Sequence, residues 1–278
     1  MSRRIAGAVA AGVGIALAVL GEKRRDQVLA RLATRLAPVK RAETPGGPVE
    51  FWCPSTYALY YPRVMFSDDP LARQWIGTFG PNDVLWDIGA NVGLFTLYVA
   101  RAAGIRVLAF EPGAANHWVL NRNIEINTLQ DRVSAYALAF SGESGLQSLN
   151  LSTSEPGAVF HVFGKPEGDF GYDVTYTTSQ AAVGFTIDDF VRRFAPPFPT
   201  HIKLDVDNYE ARILAGGRET IADARLKSVL VEIAEHVDGP DIPALLAAAG
   251  LAEHTLPGAA DDQRPFRNRL FVRNGWLA

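Results

Sequence analysis

Two short stretches of this chain concentrate the residue types that can do chemistry. In the first, Asp83 to Gly93, an apolar run ends in Asp87, passes through Gly89, Asn91 and Gly93, and opens a helical pattern over 94–101. Strand, glycine turn and helix N-terminus in that order present backbone N–H groups to a nucleotide. Glycine is needed where the backbone must approach a ligand closely, because a Cβ would block it. A second apolar run, 106–110, ends in Glu111-Pro112, and Glu111 falls eighteen residues past Gly93. A carboxylate at that strand end is placed to accept both hydroxyls of an adenosine ribose. The spacing Gly89-Ala-Asn-Val-Gly93 departs from the G-x-G-x-x-G of dinucleotide-binding enzymes.

The second stretch is His201-Ile-Lys-Leu-Asp-Val-Asp207. Read as a strand, it puts Ile202, Leu204 and Val206 on one face and His201, Lys203, Asp205 and Asp207 on the other. Central parallel strands are apolar on both faces, so these charges need partners. At the switch point of a doubly wound sheet this strand lies beside the first one, which brings Asp205 and Asp207 near Asp87 and Asn91. Asp205, nearer the carboxyl end, is the candidate general base, with His236 after the next strand as a second; an ordinary surface histidine accounts for His236 equally well. Lys203 reads as a structural ion pair with Asp87 or Glu232. A divalent cation held by these carboxylates with His201 or His236 lacks any recognised ligand spacing, so no metal site is expected.

The elements that must position these groups follow from periodicity. Strands are expected at 83–87, 106–110, 133–139, 201–206 and 228–234, with helices at 70–79, 93–103, 114–127, 209–222 and 243–249 between or around them. Thr186, three residues ahead of Asp189, caps a further helix, and Pro196-Pro197 and Pro199 end it. Segments 145–151, 158–163 and 172–180 read as short hairpins, and 251–256 with 269–273 as a closing antiparallel pair. The alternation means an α/β chain with a doubly wound, mostly parallel sheet and an antiparallel closing strand.

Charge divides the chain unevenly. Residues 1–41 hold nine Lys/Arg against two Asp/Glu, while the remainder carries a net −10. A body that acidic is a poor nucleic-acid binder. Ile5 to Leu20 are sixteen uninterrupted Ala, Gly, Val, Ile and Leu residues, about 24 Å as a helix, short of the roughly 30 Å hydrocarbon core. Behind them Val28, Leu29, Leu32, Ala33 and Leu36 recur at helical spacing among arginines, a basic amphipathic helix suited to an anionic membrane surface. Anchor, packed helix and cleaved export signal are three readings of this arm; its basic flank favours a cytoplasmic body. Pro45-Gly-Gly-Pro48 divides an arm of residues 1–44 from a catalytic domain of 45–278. The single cysteine, Cys53, excludes an internal disulfide framework and fits a reducing compartment.

The ordered set of motifs resembles the FkbM family of S-adenosylmethionine (SAM)-dependent methyltransferases. The matching pieces are Asp87–Gly93, Ala109-Phe-Glu-Pro112, Leu120–Asn127, Ile202–Asp207, Glu210 with Ile213-Leu-Ala-Gly216, Val231-Glu232, and Asn268–Arg273. The resemblance implies a class I, Rossmann-like methyltransferase fold, SAM as cofactor, and methyl transfer to the oxygen of a small molecule, glycan or lipid-linked glycan. It would place Asp87, Gly89, Asn91 and Gly93 along the methionine side of the cofactor and Glu111 on its ribose. Where the family commonly has glycine after the second aspartate, this chain has Asn208-Tyr209, and Tyr209 is expected to reshape the acceptor pocket. Two other functions compete: a nicotinamide-dependent oxidoreductase on a similar sheet, and a non-catalytic protein that retains the fold.

Overall fold

The computed structural model describes residues 2–64, 69–165, 174–207, 209–234, 241–255 and 266–276. The chain forms two compact units, Met1–Pro38 and Val39–Ala278. The first holds α1 (Ser2–Ala16) and α2 (Glu22–Arg35). Gly21 separates them, and α2 ends with the Leu36 N–H on the Leu32 carbonyl. Among the described residues no helix is long and apolar enough to cross a membrane.

The second unit opens with a hairpin where sequence reading saw only punctuation. β1 (Val39–Thr44) pairs antiparallel with β2 (Gly47–Trp52) across the Pro45-Gly46 turn. A boundary at residue 44 would therefore leave one strand of this hairpin with the arm. A Cβ on Gly46 would overlap the Arg101 carbonyl, which is why the turn takes glycine. Asn123 and Asn127 hold β2 from the side: the Trp52 and Glu50 N–H groups donate to their Oδ1 atoms at 2.8 Å each.

α3 (Tyr61–Val64) and α4 (Pro70–Ile76) lead into the main sheet, and the Asp69 carboxylate caps α4 by accepting the Ala72 N–H. Then follow β3 (Val84–Ile88), α5 (Leu94–Ala102), β4 (Arg106–Phe110), α6 (Ala114–Ile126) and β5 (Val133–Tyr136). β6 (Ala139–Phe140), β7 (Gly145–Leu151), β8 (Val162–Phe163) and β9 (Thr178–Phe185) form a separate four-stranded sheet in the order β6-β9-β7-β8. The expected strand 133–139 is thus two strands in two sheets. Among 172–180, residues 174–177 precede β9, and 172–173 lie outside the described residues.

α7 (Ile187–Phe194), β10 (His201–Leu204), α8 (Glu210–Ala215), α9 (Arg218–Ala222), β11 (Ser228–Ala234), α10 (Asp241–Ala248), β12 (Leu251–Glu253) and β13 (Phe266–Arg273) complete the chain. Thr186 caps α7 as its spacing requires, accepting the Asp189 N–H. The single helix expected over 209–222 breaks at Gly216-Gly217, where a Cβ on either residue would press on Thr186 or Ile187.

The main sheet runs β12-β13-β11-β10-β3-β4-β5, parallel except for β13, which runs antiparallel to both neighbours. This is the doubly wound α/β fold with its antiparallel closing strand. Strand periodicity sorts the core onto the two faces: Leu85, Val107 and Ala109 pack on one, Trp86, Ile88, Leu108 and Phe110 on the other. Chain order reverses between β3 and β10, and the crevice outside their carboxyl ends is where ligands bind in such sheets.

Candidate functional site

Three alternate residues of the turn after β3 are left-handed: Gly89 (φ +83°), Asn91 (φ +49°) and Gly93 (φ +98°). A Cβ at Gly89 would overlap the Asp205 carbonyl oxygen, so glycine here lets the chain leaving β10 touch the chain leaving β3. Gly93 caps α5, and a Cβ there would lie 2.7 Å from Leu120 Cδ1. Asn is the non-glycine residue most at ease in this geometry.

A cleft opens at this point, bordered by Asp87, Gly89, Asn91, Glu111, Lys203, Asp205 and Asp207, with Tyr61, Asn116, Ala158 and His161 closing it. The candidates Asp87, Gly89, Asn91, Glu111 and Asp205 therefore share one cavity. Gly93 lies behind the turn and outside this lining; its part is to start α5. His236 and Asn208 lie outside the described residues.

Glu111 is the most constrained of these groups. Its Oε2 accepts the Asn91 N–H at 2.9 Å and its Oε1 the Gly113 N–H at 2.7 Å. Burial pushes its carboxyl up to about 7, against the pull of the Gly113 and Asn91 N–H groups. Asp87 is fully buried; Oδ2 accepts the Thr96 hydroxyl at 2.6 Å, while Oδ1 has no hydrogen-bond partner and lies 4.0 Å from Lys203 Nζ. Burial raises Asp87 above the usual carboxylate range, with Lys203 and Thr96 opposing it.

Lys203 Nζ donates to Asp205 Oδ2 at 2.9 Å and sits 5.0 Å from the centre of the Phe95 ring. Burial would lower its ammonium, but Asp205 and Asp87 more than compensate and hold it charged. The ion pair anticipated for Lys203 is therefore made with Asp205 first and Asp87 second. Asp207 takes the left-handed conformation (φ +60°) and accepts the Phe160 N–H at 2.7 Å. Burial and the nearby Asp205 charge push its carboxyl up to about 7.

Glu210 closes the turn after β10, its Oε1 accepting the Val206 N–H at 2.8 Å. Tyr209 does not reach the cleft. It borders an adjoining apolar slot lined by Ile88, Phe110, Leu138, Phe140 and Phe163, and its hydroxyl donates to the Lys165 carbonyl.

His201 shares the face expected of it but not the cleft. It sits at the amino end of β10, away from Asp205, between Ser228 Oγ (2.7 Å) and Asp83 Oδ2 (3.1 Å). The Asp83 carboxylate also pairs with Lys227 Nζ at 2.5 Å. Alternation places His201 on the same face as Asp205, but four residues of extended chain separate them by more than 10 Å. Among the described residues no His, Cys, Asp and Glu cluster could hold a metal ion.

Three lining residues carry no sequence signal. The Tyr61 hydroxyl donates to the Gly157 carbonyl at 2.9 Å. Buried Asn116 accepts the Gly157 N–H at 2.7 Å and donates to the Ala158 carbonyl at 3.2 Å, which also receives the Asn91 amide at 3.1 Å. His161 follows in the same segment. Tyr61 belongs to an aromatic run visible in the sequence, but nothing local says that it faces the site.

The arrangement is suited to a cationic ligand with a hydroxylated part. Four carboxylates face one ammonium, and the backbone of Gly89 lines the same cleft. Asn91 Oδ1 and Asp87 Oδ1 are buried without hydrogen-bond partners, which is costly unless something supplies donors. SAM meets each requirement: it carries sulfonium and ammonium charges and a ribose diol.

The chain is similar to known proteins across this region. The family described as Methyltransferase FkbM domain matches residues 87–251. Hexuronic acid methyltransferase AglP of Haloferax volcanii is 26% identical over 212 residues, which is 76% of this chain and 81% of that protein. The 31-O-demethyl-FK506 methyltransferase FkbM of Streptomyces tacrolimicus is 28% identical over 214 residues, 68% of this chain and 79% of its own. The crystal structure of methyltransferase FkbM from Methylobacillus flagellatus KT aligns at 18% identity with a TM-score of 0.43. That alignment covers 70% of this chain and 44% of the solved one, so the chain spans less than half the length of that structure.

Proposed function

The chain belongs to the FkbM family of methyltransferases, and on that premise we propose that it transfers the methyl group of SAM to a hydroxyl oxygen of a small molecule or glycan. Family membership sets aside the nicotinamide reading and weighs against a non-catalytic role. The observation that carries the proposal is the convergence, at the carboxyl ends of β3, β4 and β10, of Glu111, Asp87 and Asp205 around one cleft that the Gly89–Asn91 turn also lines. The two relatives named above, one a hexuronic acid methyltransferase and the other acting on a 31-O-demethyl compound, support an oxygen acceptor.

The sulfonium methyl is already activated when SAM is bound, so the protein's task is alignment and charge. Glu111 is assigned to the ribose, using the lone pairs left free by the Asn91 and Gly113 N–H groups. Asp87, Gly89, Asn91 and Gly93 are assigned to the methionine side, the first three by lining the cleft and Gly93 by setting the helix start behind it. Asp205, about one-third exposed and tethered by Lys203, is assigned to the acceptor hydroxyl: it would orient the O–H and take its proton as the methyl group passes from sulfur to that oxygen. His236 remains a second candidate base by its place just after β11.

Residues 1–41 are assigned to an anionic membrane surface on the cytoplasmic side, because an apolar run followed by a basic amphipathic helix combines two weak attachments. The proposal is tested by incubating the enzyme and labelled SAM with glycan, lipid-linked glycan and small-molecule fractions and looking by mass spectrometry for a gain of one CH₂. Transfer to nitrogen or carbon in the labelled product would defeat the oxygen assignment.

A further inference from the structure

The segment Glu155–His161 folds against the cleft and is fastened from several sides. The Ser55 hydroxyl donates to the Pro156 carbonyl at 2.5 Å, Tyr61 holds Gly157, Asn91 and Asn116 hold Ala158, and Asp207 holds Phe160. Phe160 is kept at φ +63°, a conformation a bulky residue adopts only when its surroundings impose it. The residue delivered by this strap is His161.

His161 stands where the two cavities meet. The acidic cleft and the apolar slot share Gly89, Pro112, His161 and Val206 as common walls. Its Cδ2 lies 3.7 Å from the position a Cβ would take on Gly113, directly beside the Glu111 carboxylate. Nδ1 is buried and has no hydrogen-bond partner, an arrangement that costs free energy until a donor arrives. A molecule filling both cavities has a largely apolar part in the slot joined to a hydroxylated part in the acidic cleft, as the adenine and ribose of SAM are joined.

We propose that His161 is a cofactor-binding residue whose Nδ1 accepts a hydrogen bond from a hydroxyl or amino group of the nucleoside, so that the strap is part of the cofactor site. This rests on the SAM reading above. Burial lowers the imidazole to about 4, so the ring is neutral at physiological pH, keeps an acceptor nitrogen, and adds no repulsion toward a cationic ligand. Through Phe160 and Asp207 the same strap ties the nucleoside to the acceptor side.

The test uses S-adenosylhomocysteine, titrated calorimetrically into the full chain. His161→Phe keeps the ring and removes both nitrogens; affinity is expected to fall about tenfold, the value of one hydrogen bond to an otherwise unsatisfied partner. His161→Gln, whose amide oxygen supplies an acceptor, should stay within about threefold of wild type on the same reasoning. In the wild-type protein, nitrogen-15 NMR of histidine should show the unprotonated His161 ring nitrogen moving upfield on binding, a change that a merely structural role would not produce and that needs no folded variant. Unaltered affinity in His161→Phe, or an unmoved ring nitrogen, overturns the proposal. A wild-type chain that fails to bind S-adenosylhomocysteine defeats the cofactor reading itself, so the two failures are told apart.

Discussion

Replacing Glu111 with alanine probes the cofactor assignment at its most heavily engaged side chain. Glu111 is 5% exposed, and both its oxygens already accept backbone N–H groups, one from the glycine turn and one from the entry to α6. Loss of a charge-assisted hydrogen bond costs about 1.5–3 kcal/mol. At about 1.4 kcal/mol per decade, SAM should bind roughly 10- to 150-fold more weakly to Glu111→Ala by calorimetry. The pH dependence carries a sign of its own. Burial raises the folded carboxyl from 4.5 to about 7, so between those values the folded, cofactor-free protein holds a proton that the unfolded chain has released. The stability linked to this proton is present in full below pH 4.5 and is lost as pH rises through 7, about 3 kcal/mol in all. Hydroxyl donors favour the ionised carboxylate, so SAM affinity should rise from pH 6 to 8, and in Glu111→Gln this rise should shrink. Unchanged SAM affinity in Glu111→Ala would refute the ribose assignment.

Other outcomes follow from the same geometry. Gly89→Ala puts a methyl group into the Asp205 carbonyl at φ +83°; we expect about 3 kcal/mol of destabilisation in denaturant melts and loss of cofactor binding, and a stable, SAM-binding variant would show that the two strand ends need not touch. Asp205→Asn removes the nearer partner of buried Lys203 but leaves Asp87 at 4.0 Å. The melt should drop by about 1–2 kcal/mol, SAM affinity should change little, and turnover should fall at least about tenfold; full turnover removes Asp205 from the chemistry. The full chain should float with anionic vesicles at low salt. A chain beginning at Val39, which keeps the hairpin intact, should remain in solution and bind SAM, and loss of vesicle binding at high salt would assign the attachment to α2 alone.

The turn from Asp87 to Gly93, the acidic end of β4 and the charged face of β10 were all readable along the chain, because each is a local constraint. A left-handed turn needs Gly or Asn at its own position, a strand alternates its faces residue by residue, and a cap lies three residues from its partner, as Thr186 does. The place of β10 beside β3 follows from the same local signals, since alternating strands and helices of ordinary length have few right-handed ways to wind.

The remaining features depend on partners far away in sequence. Asn123 in α6 and Asn127 at its end have no visible task until β2, more than 70 residues earlier, presents its edge to them. The hairpin of β1 and β2 was hidden because its prolines and glycines read equally well as a linker. Tyr61 and Gly157 meet across 96 residues, and Phe160 and Asp207 across 47. His201 shows the limit of alternation: its face was assigned correctly, while its partners Ser228 and Asp83 at the other end of the strand left no local signal. Periodicity reports which side of an element a residue occupies. Only tertiary structure decides what waits there, because a loop's path over the sheet is set by the sum of many weak, distant contacts, none of which leaves a repeat in the chain.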